Sequence, residues 1–136
     1  MSKKLTIYYC GNELLQEDDM PFRIVPELMK LFPEFGFVHH DPAENLAPIP
    51  SSAMRRGKFD IVIIDTVINS DKVITITSQE QLSTEAVYSP HDWGLAMNLK
   101  LLIKLGELKS FLIIGVPAAG NLKKIIDEAA RIIGQI

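Results

Sequence analysis

The stretch Phe59-Asp60-Ile61-Val62-Ile63-Ile64-Asp65 places four consecutive β-branched residues between two aspartates. A strand with one face in water alternates apolar and polar residues, whereas a strand covered on both faces has no need to. This run therefore belongs inside a parallel sheet with helices on either side. Phe111–Val116 (FLIIGV) repeats the pattern and reads as a second interior strand. Leu5–Cys10 (LTIYYC) and Phe35–His40 (FGFVHH) are two further strands. Val73–Thr77 (VITIT) alternates instead, and it follows the turn signal Asn69-Ser70-Asp71. It reads as an antiparallel edge strand reached by a hairpin.

Helical spacing fills the intervals. Phe22, Val25, Leu28, Met29 and Phe32 share one face of a helix that ends before Pro33, with Pro26 expected to kink it or mark its first turn. Leu95, Leu99, Leu102 and Ile103 line a second helix, from Pro90 to about Leu105. Leu122, Ile125, Ile126, Ala129 and Ile133 line a third, closed by Gly134. Pro42–Gly57, with Pro42, Pro48 and Pro50, reads as an irregular crossover. Strand and helix alternate, which predicts a three-layer α/β/α sandwich around a mostly parallel, twisted five-stranded sheet with one antiparallel edge strand.

Composition narrows the function classes. The chain has 136 residues, enough for one domain spanning 1–136. It carries 14 Lys+Arg against 17 Asp+Glu, a formal charge of -3, so no basic face invites nucleic acid. A single cysteine excludes an internal disulfide and a cysteine-rich zinc site, which fits a reducing, cytoplasmic setting. The opening residues lack the apolar stretch of a signal peptide, and no apolar run approaches the roughly 20 residues that span a bilayer. A monomer without membrane insertion is expected.

Ligands of such sheets sit beyond the carboxyl ends of the parallel strands. Three polar features fall there. The first strand runs into Gly11–Asp19, an acidic turn; the third ends on Asp65; the second helix opens with Ser89-Pro90-His91-Asp92. Ser89 suits an N-cap, Pro90 the first helical position and Asp92 the return bond of a capping box. His91 then lies in the first turn, where the helix dipole disfavours positive charge and leaves the neutral imidazole that binds metal. Asp18, Asp65 and His91 can thus converge as two carboxylates and one imidazole, a donor set for a borderline divalent ion. Each also has a plain structural role. Asp18 or Asp19 can cap the first helix, Asp65 can accept turn amides, and His91 can be a surface residue. His39, His40 and Asp41 form a second group of possible ligands against a solvated strand end. Cys10 reads as a small buried residue, and Gly115–Gly120 as a strand-to-helix turn. Trp93 fits a substrate anchor or the core. No His-Glu-x-x-His, Gly-x-Ser-x-Gly, Walker or Gly-x-Gly-x-x-Gly motif is present.

At these residues the sequence resembles the nickel–iron hydrogenase maturation endopeptidases. Gly11-Asn12, Leu14-Leu15 and Asp18 match that family's first strand exit, in which an acidic residue stands seven positions after the glycine. Phe22-Arg23-Ile24-Val25 resembles its helix opening, and Asp60–Asp65 its third strand with the terminal aspartate. Ser89–Leu95 is similar to its Ser/Thr-x-His-x-x-Gly-Leu helix start, and Ile113–Val116 to its Gly-Ile-Gln-Pro strand. The resemblance implies an α/β peptidase that removes a C-terminal extension from the hydrogenase large-subunit precursor after nickel insertion. It implies that Asp18, Asp65 and His91 are both metal ligands and catalytic residues, holding nickel supplied by the substrate, with cadmium or zinc able to occupy the same site. The precursor is then the partner, and Asp19 is the nearest spare carboxylate for activating water.

The sequence also departs from the family. Asp19 and Pro21 stand where the family has the glycines of Asp-Gly-x-Gly. His39-His40-Asp41 stands near its Gly-Gly-Thr turn, although Pro42-Ala43-Glu44-Asn45 resembles the segment that follows the turn in the formate-hydrogenlyase and related archaeal branch. Those losses keep two competing readings open: a non-catalytic relative that binds metal or precursor, and an unrelated α/β small-molecule binder.

Overall fold

Both continuously apolar runs become interior strands. In the computed structural model, which describes residues 5–11, 19–40, 59–67, 70–82 and 93–136, the chain runs β1 (Leu5–Tyr9), α1 (Met20–Leu31), β2 (Phe35–His39), β3 (Ile61–Val67), β4 (Ile74–Ile76), α2 (Gln79–Leu82), α3 (Trp93–Lys104), β5 (Phe111–Pro117) and α4 (Leu122–Ile133). The strands form one sheet in the order β2-β1-β3-β5-β4. β1 pairs in parallel with β2 and β3, and β3 in parallel with β5 over its whole length, from Ile61↔Phe111 to Val67↔Pro117. Every residue of β3 and of β5 is buried.

Strand alternation sorts the core onto two faces. On one, Val62, Ile64, Leu112, Ile114 and Val116 pack with Ile24 and Leu28 of α1 and Ile125, Ala129 and Ile133 of α4. On the other, Ile61, Ile63, Val67, Phe111 and Ile113 pack with Leu99 of α3 and with Leu108. Each fully buried isoleucine is worth about 1.5–3 kcal/mol of transfer free energy, so this double-sided burial is what holds β3 at the centre. Among the described residues, no helix is long and apolar enough to cross a membrane.

Three details differ from the sequence expectation. β3 continues past Asp65, because Thr66 and Val67 still pair with Val116 and Pro117. β4 is the antiparallel edge strand, but it pairs with β5 through Ile74↔Gly115 to Ile76↔Ile113, so it forms no hairpin with β3. The long apolar β5 takes the place beside β3 and leaves the short alternating strand outside. Pro26 lies mid-helix and exposed in α1, while Pro21 occupies the first turn, where a missing N–H costs nothing. Gly134 closes α4 as expected, donating its N–H to Ala130 O at 2.9 Å with φ -64°. The crossover at Pro42–Gly57 and the helix opening at Ser89–Asp92 lie outside the described residues.

At the other end of α4, Asn121 caps the helix by accepting from Lys124 N at 3.0 Å, and Gly120 precedes it with φ 143°. Of Gly115–Gly120, expected as a strand-to-helix turn, Gly115–Pro117 still belong to β5 and only 118–120 make the turn into α4. Asn121→Ala is expected to cost about 1 kcal/mol, checked as a lowered urea midpoint with an unchanged slope.

Candidate active site at the carboxyl edge of the sheet

The strand order creates a crevice. From β1 the chain crosses through α1 to β2 on one side, and from β3 it proceeds to β4 and then β5 on the other side. Connections that leave neighbouring strands in opposite directions open a gap at their carboxyl ends, the usual ligand position in open α/β sheets. Here that gap lies between β1 and β3.

Asp65 stands at its edge. The last β1–β3 partners are Tyr9 and Ile64, and Cys10 N still donates to Ile64 O at 2.8 Å. Asp65 is the next residue of β3, just past the end of β1. It is fully buried, at 0% exposure, between Ile64 and Thr66, both buried as well. Its Oδ1 accepts the N–H of Thr66 at 2.8 Å, which fixes the carboxylate against its own backbone. A buried carboxylate is tolerated only with such support or with a cation, and a ligand oriented by a second bond is the usual arrangement at metal sites. Thr66 points to the opposite face, 3% exposed, and its hydroxyl has no hydrogen-bond partner among the described residues.

The first strand exit is shaped by Gly11. It is buried, with φ 134°, a conformation that residues with a Cβ rarely adopt. That requirement gives the Gly11-Asn12 motif a physical basis. Asp19 occupies the N-cap position of α1, yet its side chain makes no capping bond. Its Oδ2 lies 4.0 Å from Arg23 Nε, and its Oδ1 is buried without a partner among the described residues. The capping role expected of an acidic residue here is therefore not carried by the Asp19 side chain. The two substitutions for glycine fall at a helix start: Asp19 at the cap and Pro21 in the first turn.

The two histidines at the end of β2 separate to opposite faces. His40 N donates to Tyr9 O at 2.9 Å, and its ring meets Tyr8 edge-on with centroids 6.3 Å apart. His39 Nε2 instead lies 3.3 Å from Gly11 O, with its ring 4.9 Å from Phe22 and 5.5 Å from Tyr9. This bond was invisible in the sequence, where His39 stood only in a group of possible ligands. Cys10 is buried, a small core residue as expected.

Asp18, Asp41 and His91 lie outside the described residues, so of the predicted trio the structure places Asp65 alone. Among the described residues, no group of three or more His, Cys, Asp or Glu side chains is arranged to hold a metal. Trp93 opens α3.

A parallel sheet with a buried carboxylate at its switch point defines the class: an α/β domain with a ligand crevice at the carboxyl edge. Solved structures show which α/β fold it is. The chain aligns with the [NiFe] hydrogenase maturation protease HybD from Thermococcus kodakarensis at a TM-score of 0.64 and 20% identity, over 96% of this chain and 97% of that one. The hydrogenase maturating endopeptidase HybD from E. coli aligns at 0.60 and 16% identity, over 95% and 89%. The solution structure of an endopeptidase from Escherichia coli aligns at 0.54 and 18% identity, over 93% and 86%. The fold is thus that of the hydrogenase maturation endopeptidases, the family that the sequence resembles. No protein-family model and no curated protein matches the chain by sequence.

Proposed function

We propose that this protein is an endopeptidase that removes the C-terminal extension of a nickel–iron hydrogenase large-subunit precursor once nickel has been inserted. The observation that carries the reading is Asp65: a fully buried carboxylate at the β1–β3 crevice of a fold shared, nearly end to end, with hydrogenase maturation endopeptidases. In this reading Asp18 and His91 join Asp65 around the nickel that arrives with the substrate. Two carboxylates and an imidazole leave further positions for the substrate's own ligands, which suits a borderline divalent ion. The chain then needs no metal-binding cysteine set of its own, consistent with a single, buried cysteine. The chain's residues orient the loaded precursor so that its scissile bond lies in the crevice, and the substrate's ion supplies charge for polarising a carbonyl or a water.

The test is incubation with nickel-loaded and nickel-free precursor, followed by mass measurement of the large subunit. Loss of the extension from the loaded form alone is the expected result. Tight binding without any change in mass would instead identify a non-catalytic precursor-binding relative, and cleavage of both forms would remove nickel from the recognition step. A crystal grown with cadmium or zinc is expected to hold the ion between Asp18, Asp65 and His91; an ion bound elsewhere would move the site.

A further inference from the structure

The sheet has two outer edges, and they differ in how they are covered. β4 has three residues, and its outer side is occupied by α2: Gln81 Oε1 accepts the N–H of Thr77 at 2.8 Å, and Gln81 Nε2 donates to Thr75 O at 3.1 Å. A side-chain amide thus takes the place of a neighbouring strand and blunts that edge. β2, at the other edge, has five residues, Phe35–His39, with no Pro, Lys, Arg, Asp or Glu among them. Among the described residues, no strand pairs with its outer side.

The direction of its backbone groups follows from the pairing. His40 N donates to Tyr9 O, and Tyr9 stands opposite His39. In a parallel ladder a residue bonds to the two neighbours of its partner, so Gly36, Val38 and His40 serve β1. Phe37 and His39 therefore turn their N–H and C=O groups outward. Apolar side chains flank this edge on both faces of the sheet. Phe22 and Met29, seven residues apart, share a flank of α1, and the Phe22 ring lies 4.9 Å from that of His39, so the flank faces β2. Met29 is 50% exposed, and Val38, on the face opposite Phe37 and His39, is 48% exposed. An open main-chain edge with apolar side chains on both faces is what an extended peptide fills. Its backbone bonds to the edge, and its alternate side chains pack on the two faces.

We propose that the outer edge of β2 binds an extended, uncharged segment of the protein substrate as an added strand. This rests on the function proposed above, because an endopeptidase must hold its substrate extended beside the scissile bond. β2 runs parallel to β1, so its carboxyl end lies at the same edge of the sheet as the crevice. At about 4.8 Å per strand, the added strand lies about 12 Å from the middle of the β1–β3 crevice, a distance that about four extended residues span. One stretch of the precursor can then pair with β2 while the residues that follow reach the edge where Asp65 stands.

The experiment combines hydrogen–deuterium exchange, read residue by residue in a short pulse with and without nickel-loaded precursor, with steady-state kinetics of variants. The Phe37 and His39 amides are expected to exchange freely in the protein alone and to slow by about tenfold or more with precursor, whereas Val38 and His40, already bonded to β1, stay protected throughout. Val38→Lys and Met29→Lys put a charge beside the edge and are expected to raise KM about tenfold each, with kcat within about twofold of wild type. Leu101→Lys on α3, at a residue 53% exposed, should keep the wild-type KM. All three side chains are about half exposed, so the thermal midpoints should stay within about 2 °C of wild type. Cleavage without protection of Phe37 and His39, or a wild-type KM in both edge variants, would overturn the docking edge and leave the peptidase standing. Protection without cleavage would sink the peptidase and keep the edge. Protection that grows with protein concentration in the absence of precursor would give the edge to a second copy of the chain and overturn the proposal. Neither protection nor cleavage would overturn both.

Discussion

On the proposed function, Asp65→Asn is expected to lower kcat/KM for nickel-loaded precursor by about 10³-fold while the protein stays folded. The expected size follows from removing the charge of a proposed ligand from a site where a metal ion would contribute several kcal/mol to the transition state, each 1.4 kcal/mol being about tenfold. The intact fold follows from geometry. Asparagine has the shape of aspartate and retains an Oδ1 that can accept the Thr66 N–H, now at 2.8 Å, so the strand loses neither packing nor that bond. The change in stability should therefore stay within about 1 kcal/mol, the usual worth of a single hydrogen bond. Asp60, just ahead of the same strand, provides the control. Its Oδ2 accepts from Lys109 N at 2.9 Å and Ser110 N at 3.4 Å, at the end of the sheet remote from the crevice. Asp60→Ala, which removes that acceptor, should lower the thermal midpoint and leave kcat/KM unaltered. Asp18→Ala and His91→Ala are expected to abolish processing as Asp65→Asn does. Full processing by Asp65→Asn, with correct mass of the product, would refute the site.

The contrast between these two aspartates shows what the sequence could and could not convey. Both flank the same apolar run, and the run alone was enough to recognise a strand buried on both faces. Its partner β5 was equally legible, because Phe111–Val116 has the same composition. Pairing was not. Val73–Thr77 alternates and follows a turn signal, so local rules favour a hairpin with β3; the structure gives that edge to β5, since two seven-residue strands buried throughout cover more surface together than the three-residue β4 can offer. That choice is a competition between distant segments, and local pattern carries no information about it. The strand end at Asp65 was misjudged for a related reason. A carboxylate normally stops a buried strand, but Thr66 and Val67 remain in register with β5 and are buried.

The candidate site was partly legible. Residues at carboxyl strand ends can be read once the fold is known, and Asp65 and Gly11 fall where the pattern puts them. His39 could not be read. Its contacts reach Gly11 O across two adjacent strands and Phe22 from a helix between them in sequence. The adjacent histidines looked equivalent as His39-His40, yet strand alternation sends one ring to Phe22 and the other to Tyr8. The signal that could have separated them is period-two alternation carried one residue past Val38.

Gly115 makes the last and largest stability prediction. It pairs across the sheet with Asp65 on one side and Ile74 on the other. A Cβ placed on it would lie 2.6 Å from Val67 Cγ1 and 3.0 Å from Ile74 Cγ1. Glycine inside a strand ordinarily costs about 0.5–1 kcal/mol relative to alanine, so on backbone entropy alone a substitution should stabilise. The clash decides the sign. Val67 is 1% exposed in the core on that face, and its branched Cβ leaves it few rotamers into which to retreat. Overpacking of this kind costs about 1–3 kcal/mol. Gly115→Ala is expected to lose about 2 kcal/mol, and Gly115→Val about 3 kcal/mol, because the larger side chain meets Ile74 as well. For a chain of this size that is a fall of about 10 °C in Tm for the valine variant. The mechanism has its own check in a double-mutant cycle. Val67→Ala vacates the space that the new Cβ needs, so Gly115→Ala with Val67→Ala should lose less than the two single changes added, by more than about 0.5 kcal/mol. Additive losses would show that the cost arises elsewhere than at the Val67 contact. Because Asp65 lies directly opposite Gly115, the strain should reach the crevice too. Gly115→Ala is expected to lower kcat/KM even at temperatures where it is fully folded, whereas Asn121→Ala, on the far side of the β5–α4 turn, should leave kcat/KM unchanged.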